Sequence, residues 1–173
     1  MRKFINTVFV FVFLSSVAFG QNISVADVIE LSKMNAPDFI NYCKKKGYKY
    51  SGKEEIQNYL RTKIVGVKIS MLQYGNGNYN YVRHTTRPSG QIKIKYEIYG
   101  KPTKRRSQKI NSIKQQIKNL GFSINEREEY LSNCQNGKIY MRGKFERMCV
   151  NNINGVFAID YVVKRSSGKI TLE

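Results

Sequence analysis

A stretch that occurs twice constrains this chain more than any other feature. Asp38 to Tyr50, followed by Lys53-Glu54-Glu55, returns in outline as Ser112 to Ile124, followed by Arg127-Glu128-Glu129. At an offset of about 74 positions Phe39 falls on Ile113, Cys43 on Ile117, Gly47 on Gly121, Tyr48 on Phe122 and Tyr50 on Ile124, and the glutamate pairs coincide. Self-similarity over such a distance marks a structural unit used twice. Each copy has apolar residues at helical spacing, then a glycine, then an aromatic or apolar residue that opens an extended run. The unit therefore reads as one helix feeding a small antiparallel sheet.

Residues 1–20 stand outside this pattern. Arg2 and Lys3 precede a mostly apolar run from Phe4 to Phe19, and Ala18-Phe19-Gly20 supplies the small residues of a signal-peptidase site, so cleavage is expected before Gln21. A retained anchor is the alternative, but the run is shorter than the ~20 residues that span a bilayer and no later stretch approaches it. A lipid anchor needs a cysteine after the cut, and Gln21 stands there. Export to the periplasm or beyond follows as an expectation, with no transmembrane segment after cleavage. The remaining residues suffice for a core shared by two repeats, the first over 21–100 with an extra N-terminal helix, the second over 101–173.

The full chain carries a formal net charge of +18, or +16 without residues 1–20, which hold Arg2, Lys3 and no acid. Such a field draws anionic partners, whether polyanions or acidic proteins. Equally, a lysine-rich surface follows from composition alone in a chain so rich in Lys, Asn, Ile, Tyr and Phe. Three cysteines in an oxidising compartment leave one over. A Cys134–Cys149 disulfide is expected, with Cys43 a buried thiol on an apolar helix face.

In chain order, Ser24 and Asp27 form a capping box for a helix to about Met34, and Pro37 starts a second helix that Gly47 stops. The Lys44–Lys46 triplet suits the negative end of that helix. Strands are expected at Tyr48–Tyr50, at Ile64–Met71, from Tyr79 to Arg83 beyond the Gly75–Asn78 turn, and at Ile92–Ile98. Glu54–Arg61 reads as a helical turn or an irregular extension. Gly100–Lys109 reads as an exposed basic connector, and Ile110, Ile113, Ile117 and Leu120 then stripe a helix that Gly121 ends. Strands follow at Phe122–Ile124, from Ile139 to Val150 with a bulge at Gly143, and from Phe157 to Val163 after the Asn154-Gly155 turn. A short last strand is expected around Ile170 and Leu172, and Ile159-Asp160-Tyr161 loosely echoes Ile94-Lys95-Tyr96.

The fold class expected is α+β: two tandem repeats of a helix and a four-stranded antiparallel sheet. With the junctions Gly47-Tyr48 and Gly121-Phe122, that order of elements resembles the β-lactamase-inhibitor-protein-like fold, and its size and layout are similar to small exported bacterial proteins. The resemblance implies a non-enzymatic, protein-binding role in the cell envelope.

Chemistry has few candidates. His84 is the only histidine and is read as a surface residue; the alternatives to binding are a hydrolase centred on it and a purely structural protein of the cell envelope. Adjacent carboxylates such as Glu54-Glu55 and Glu128-Glu129 point to opposite faces of a strand, which suits ion pairs with lysines better than acid/base work. The lack of CxxC or Cys/His clusters points away from structural zinc, and no cofactor is expected. Binding has more support. Tyr74, Asn76, Asn78, Tyr79, Tyr81, Arg83 and Arg87 share one hairpin and mix rigid aromatics with adaptable polar groups, as recognition surfaces do; cross-strand shielding of the sheet is the alternative. The second candidate surface is the basic joint of Lys101, Lys104, Arg105, Arg106 and Lys109, suited to phosphates at salt-sensitive affinity or simply solvated. Tyrosines beside arginines also suit single-stranded nucleic acid, which the export signal disfavours.

Overall fold

The computed structural model describes residues 23–57, 63–75, 78–125, 134 and 137–164. The expected export signal with its cut before Gln21, Asn76, the Glu128-Glu129 pair and the last strand around Ile170 and Leu172 lie outside the described residues.

Local chemistry sets each helix start. For α1 (Val25–Leu31) the Ser24 hydroxyl accepts from the Asp27 N–H at 3.1 Å while the Asp27 carboxylate accepts from the Ser24 N–H at 2.8 Å, the reciprocal capping box. For α2 (Ala36–Lys45) the Asn35 side chain accepts from the Asp38 N–H at 2.9 Å, and Pro37 occupies the first turn. For α3 (Lys104–Asn119) Thr103 accepts from the Arg106 N–H at 3.2 Å. The connector expected over Gly100–Lys109 is thus mostly helix. Thr103 supplies a good cap, and Lys and Arg are strong helix formers whose charge at the positive end costs only tenths of a kcal/mol, about 0.3–1.

Helices α2 and α3 end alike. Gly47 (φ 84°) and Gly121 (φ 82°) take the left-handed conformation. Their N–H groups donate to Lys44 and Lys118 at 2.9 Å, and the next N–H groups, of Tyr48 and Phe122, reach back to Cys43 at 2.9 Å and Ile117 at 3.3 Å. This closure needs a residue without a Cβ.

Each glycine turns the chain into an edge of a single antiparallel sheet. Its strands are β1 (Lys49–Gln57), β2 (Ile64–Gly75), β3 (Asn78–Thr86), β4 (Gln91–Tyr99), β5 (Ser123–Ile124), β6 (Gly137–Arg142), β7 (Glu146–Ile153) and β8 (Val156–Lys164). Their order is β1-β2-β3-β4-β8-β7-β6-β5. Pairing of β4 with β8, from Gln91 opposite Lys164 to Tyr99 opposite Val156, joins what the sequence presents as separate sheets and removes two exposed edges. Two further details differ from expectation. β1 continues through Glu54 and Glu55 to Gln57, with a register shift at Gly52. Gly143 (φ 63°) lies in the turn between β6 and β7 rather than in a bulge, so the run from Ile139 to Val150 is a hairpin.

All three helices cover one sheet face. Val28, Leu31, Phe39, Ile113 and Ile117 meet Met71, Val82, Ile94, Tyr96, Phe157, Ile159 and Tyr161, all essentially inaccessible to solvent. Burial of each large side chain contributes about 1.5–3 kcal/mol. Among the described residues no helix is long and apolar enough to cross a membrane.

Asp27 ties α1 to α2. It accepts a short hydrogen bond from the Tyr42 hydroxyl, and Lys46 Nζ stands 3.4 Å away. Burial alone would raise its pKa; the bonds from Ser24 and Tyr42 and the Lys46 charge outweigh burial and hold it below the ordinary carboxyl value. A depressed folded-state pKa stabilises above the unfolded value, about 3.9, and that contribution is lost as pH falls through the folded value. Asp27→Asn is therefore expected to lower stability at neutral pH by about 1 kcal/mol and to flatten the stability loss below pH ~4. Urea titrations at pH 7 and pH 3 check both.

Candidate functional site

Strand register sorts the expected site residues by face. Val82 stands opposite Met71 and Tyr96, all three under the helices. Side chains alternate along a strand, so Tyr79, Tyr81 and Arg83 project from the face opposite the helices. Tyr74 stands opposite Tyr79, and Tyr79 opposite Tyr99. The Tyr79 and Tyr99 rings stack with centroids 4.1 Å apart and planes at 14°. Tyr74 is 73% exposed and Tyr79 40%, so three tyrosines in register across three strands form an accessible aromatic row. Tyr99 is a member that sequence reading missed; it stands one residue past Ile98 with the opposite parity, that of Lys93, Lys95 and Glu97.

Beside this row lies a charged centre. Tyr81 stands opposite Leu72 and Glu97, and Arg83 opposite Ser70 and Lys95. Lys95 pairs with Glu97 at 2.6 Å, Lys93 with Asp160 at 2.9 Å, and Lys68 with Glu54. The Arg83 guanidinium sits 4.9 Å from the Tyr81 ring centroid. Burial would raise the Tyr81 phenol's pKa, but hydrogen bonds with Ser70 and Arg83 and the charges of Arg83 and Lys68 bring it below the ordinary phenol value. Although the helices lie on the other face, Ser70 and Glu97 are buried, 7% and 6% exposed. The middle of the face is thus recessed below its longer side chains.

The C-terminal part of the same face is closed off. Cys134 and Cys149 form a disulfide with Cα atoms 5.7 Å apart, and both pack with Ile139 and Met141 in a second small apolar cluster. Cys43 is buried on the inner face of α2, and burial, with the Asp27 charge, pushes its thiol up to about 12.

Other expected residues are placed differently. Arg87 is exposed in the turn at the opposite end of β3 from Tyr79. Asn78 and Arg105 lie in β3 and α3. Lys101 and Lys104 are exposed. Arg106 and Lys109, read from sequence as part of a solvated basic surface, turn toward the sheet instead. Arg106 donates to the carbonyls of Gly100 at 2.5 Å, Ile98 at 3.3 Å and Gly155 at 2.6 Å, and Lys109 Nζ reaches the Tyr96 hydroxyl at 3.4 Å. Helical periodicity is the reason: with α3 starting at Lys104, these two share the inward face with Ile110 and Ile113. Arg106→Ala is expected to cost about 1.5–3 kcal/mol, the range for hydrogen bonds from a charged donor. Arg106→Lys should recover less than half, because an ammonium cannot span carbonyls as a planar fork does; urea midpoints of the three proteins decide.

His84 is a further correction. It is buried on the helix side of β3, its ring 5.1 Å from that of Phe39 and its Nδ1 3.3 Å from Thr86 Oγ1. Its parity with Val82 puts it under α2, away from the tyrosine row. Glu54 lies on β1 in its ion pair with Lys68, and Glu55 is exposed on the same strand. Among the described residues no three His, Cys, Asp or Glu side chains converge as a metal would require. Comparison of this chain with protein-family models, with curated proteins and with solved structures finds no match.

Proposed function

We propose that this chain is an exported, non-catalytic binding module built from a duplicated helix-and-four-strand unit, whose uncovered sheet face takes a protein partner of the cell envelope. The duplication draws support from matched hydrogen bonds. Gln73 donates to the carbonyl of Lys46, the residue that caps the C-terminus of α2, at 2.9 Å, and Arg142 donates to that of Leu120, the residue that caps the C-terminus of α3, at 3.1 Å. Each donor also holds its cross-strand neighbour, Gln73 with Asn80 at 3.1 Å and Arg142 with Glu146. At the β4–β8 joint Lys95 faces Asp160, with Ile94 opposite Tyr161 and Tyr96 opposite Ile159. The two echoing tripeptides thus meet head to tail about a local two-fold axis.

The observation that carries the binding reading is the accessible row of Tyr74, Tyr79 and Tyr99 beside the recessed cationic centre. Rigid aromatics with a nearby arginine form the usual anchors of protein interfaces, and a net positive chain favours an acidic partner. The Cys134–Cys149 disulfide accords with an oxidising compartment. The test is a pull-down with protein beginning at Gln21, from envelope extract of its own host, at low and moderate salt. One acidic protein retained at both salts is the expected result. Retention of polyanions alone, and only at low salt, would reduce the charge to a property of composition.

A further inference from the structure

We propose that Arg83 is the seat for a single carboxylate, the side chain of a glutamate or aspartate projecting from the protein partner. The proposal deepens the binding reading above and rests on it. Every lysine around the recessed centre has an acidic partner: Lys68 has Glu54, Lys93 has Asp160 and Lys95 has Glu97. Arg83 stands among them, and among the described residues none of the ion pairs includes it. At this centre the cation that no ion pair includes is therefore the one with the geometry to grip a carboxylate through two parallel N–H groups.

Arg83 is also held ready. It lies over the Tyr81 ring at 4.9 Å and bonds to the Tyr81 phenol, which in turn bonds to Ser70. An arginine already ordered loses less rotamer freedom when a ligand arrives.

Shape and charge favour a carboxylate over a phosphate. Because Ser70, opposite Arg83, and Glu97, opposite Tyr81, are buried, an anion must reach down into the face, which a short acidic side chain does and a polymer's backbone phosphates do not. Charges at the seat, from Arg83, Lys95 and the buried Glu97, amount to one net positive. One negative charge matches them, and a phosphate dianion would meet Glu97 at close range. Tyr79 is four residues from Arg83 along β3, about 13 Å at ~3.3 Å per residue. The partner segment would then present an acidic side chain and, about that far along, an apolar one for the tyrosine row.

The test uses the full chain and three probes: a peptide carrying one glutamate and a leucine at that separation, its glutamine counterpart, and tripolyphosphate. Nuclear magnetic resonance follows the Arg83 side-chain Nε–H signal and the backbone amides of 81–83 and 95–97. The glutamate peptide should shift these signals, with affinity reduced at least tenfold both for the glutamine peptide and in Arg83→Gln. Arg83→Lys should restore less than half of that loss. The amide spectrum of Arg83→Gln, unchanged outside the site, controls for folding. Equal affinity for the two peptides, no shift at millimolar peptide, undiminished binding by Arg83→Gln, or tighter binding of tripolyphosphate at these residues would each overturn the proposal. If wild type and Arg83→Gln retain the same envelope protein equally, the carboxylate seat is wrong while the binding face stands. If wild type retains none, the binding reading itself fails.

Discussion

Replacing Phe39 with alanine is expected to remove about 3–5 kcal/mol of stability, the range for deleting a buried phenylalanine. Phe39 is fully buried and bears on the His84 ring at 5.1 Å. It fills the space between α2 and the sheet, so its loss opens a cavity that neither rigid element can close by moving. A small domain has only about 5–15 kcal/mol in total, so the variant should unfold at a much lower urea concentration. Because Phe39 presses on the side of β3 opposite Tyr79, Tyr81 and Arg83, the same variant should also loosen the tyrosine row. Faster amide exchange along β3 would report this. A urea midpoint within 1 M of wild type would mean that α2 adds little to the sheet, since typical slopes for small proteins are about 1–3 kcal/mol per molar urea.

Removal of the Cys134–Cys149 disulfide by the double serine substitution should cost about 3 kcal/mol, as expected for a closed loop near 15 residues; the two cysteines are 15 apart in sequence. Local packing is tight enough to make the site intolerant. A Cβ at Gly137 would stand 2.7 Å from Cys134 Sγ and 2.8 Å from the Val150 carbonyl oxygen, so the glycine is needed for the bridge to close beside β7. The disulfide lies on the same sheet face as the tyrosines but in the C-terminal part, where Ile139 and Met141 pack against it. The double serine variant should therefore be less stable yet keep whatever binds at Tyr74, Tyr79 and Arg83. Calorimetry of the oxidised protein, the reduced protein and the variant gives the stability term.

Much of this organisation was legible in the sequence because it is local. The Ser24–Asp27 capping box, the Gly47 and Gly121 stops and the Asn154-Gly155 turn depend on neighbouring residues, and each is where the residue chemistry requires it. What escaped depends on contacts between distant parts. Nothing in the pattern of β4 or β8 says that they pair with each other; both are simply alternating strands, and joining them is what makes one sheet of eight strands. The start of α3 was obscured by its charge, because Lys104, Arg105 and Arg106 run against the helix dipole while their intrinsic helix preference and the Thr103 cap prevail. Gly143 was ambiguous, since bulges and turns both recruit glycine. His84 and Tyr99 were within reach: parity with Val82 buries the first, and parity with Lys93 and Lys95 puts the second on the tyrosine face.

The most direct test compares the envelope protein retained by wild type with that retained by two variants at moderate salt. One variant carries Tyr74→Ala, Tyr79→Ala and Arg83→Ala on the sheet face opposite the helices; the other carries Lys101→Ala and Lys104→Ala at the start of α3. Loss of the partner with the sheet-face variant and its retention with the α3 variant is the predicted result. Undiminished retention by the sheet-face variant, or loss with the α3 variant alone, would move the binding surface off the sheet and contradict the account.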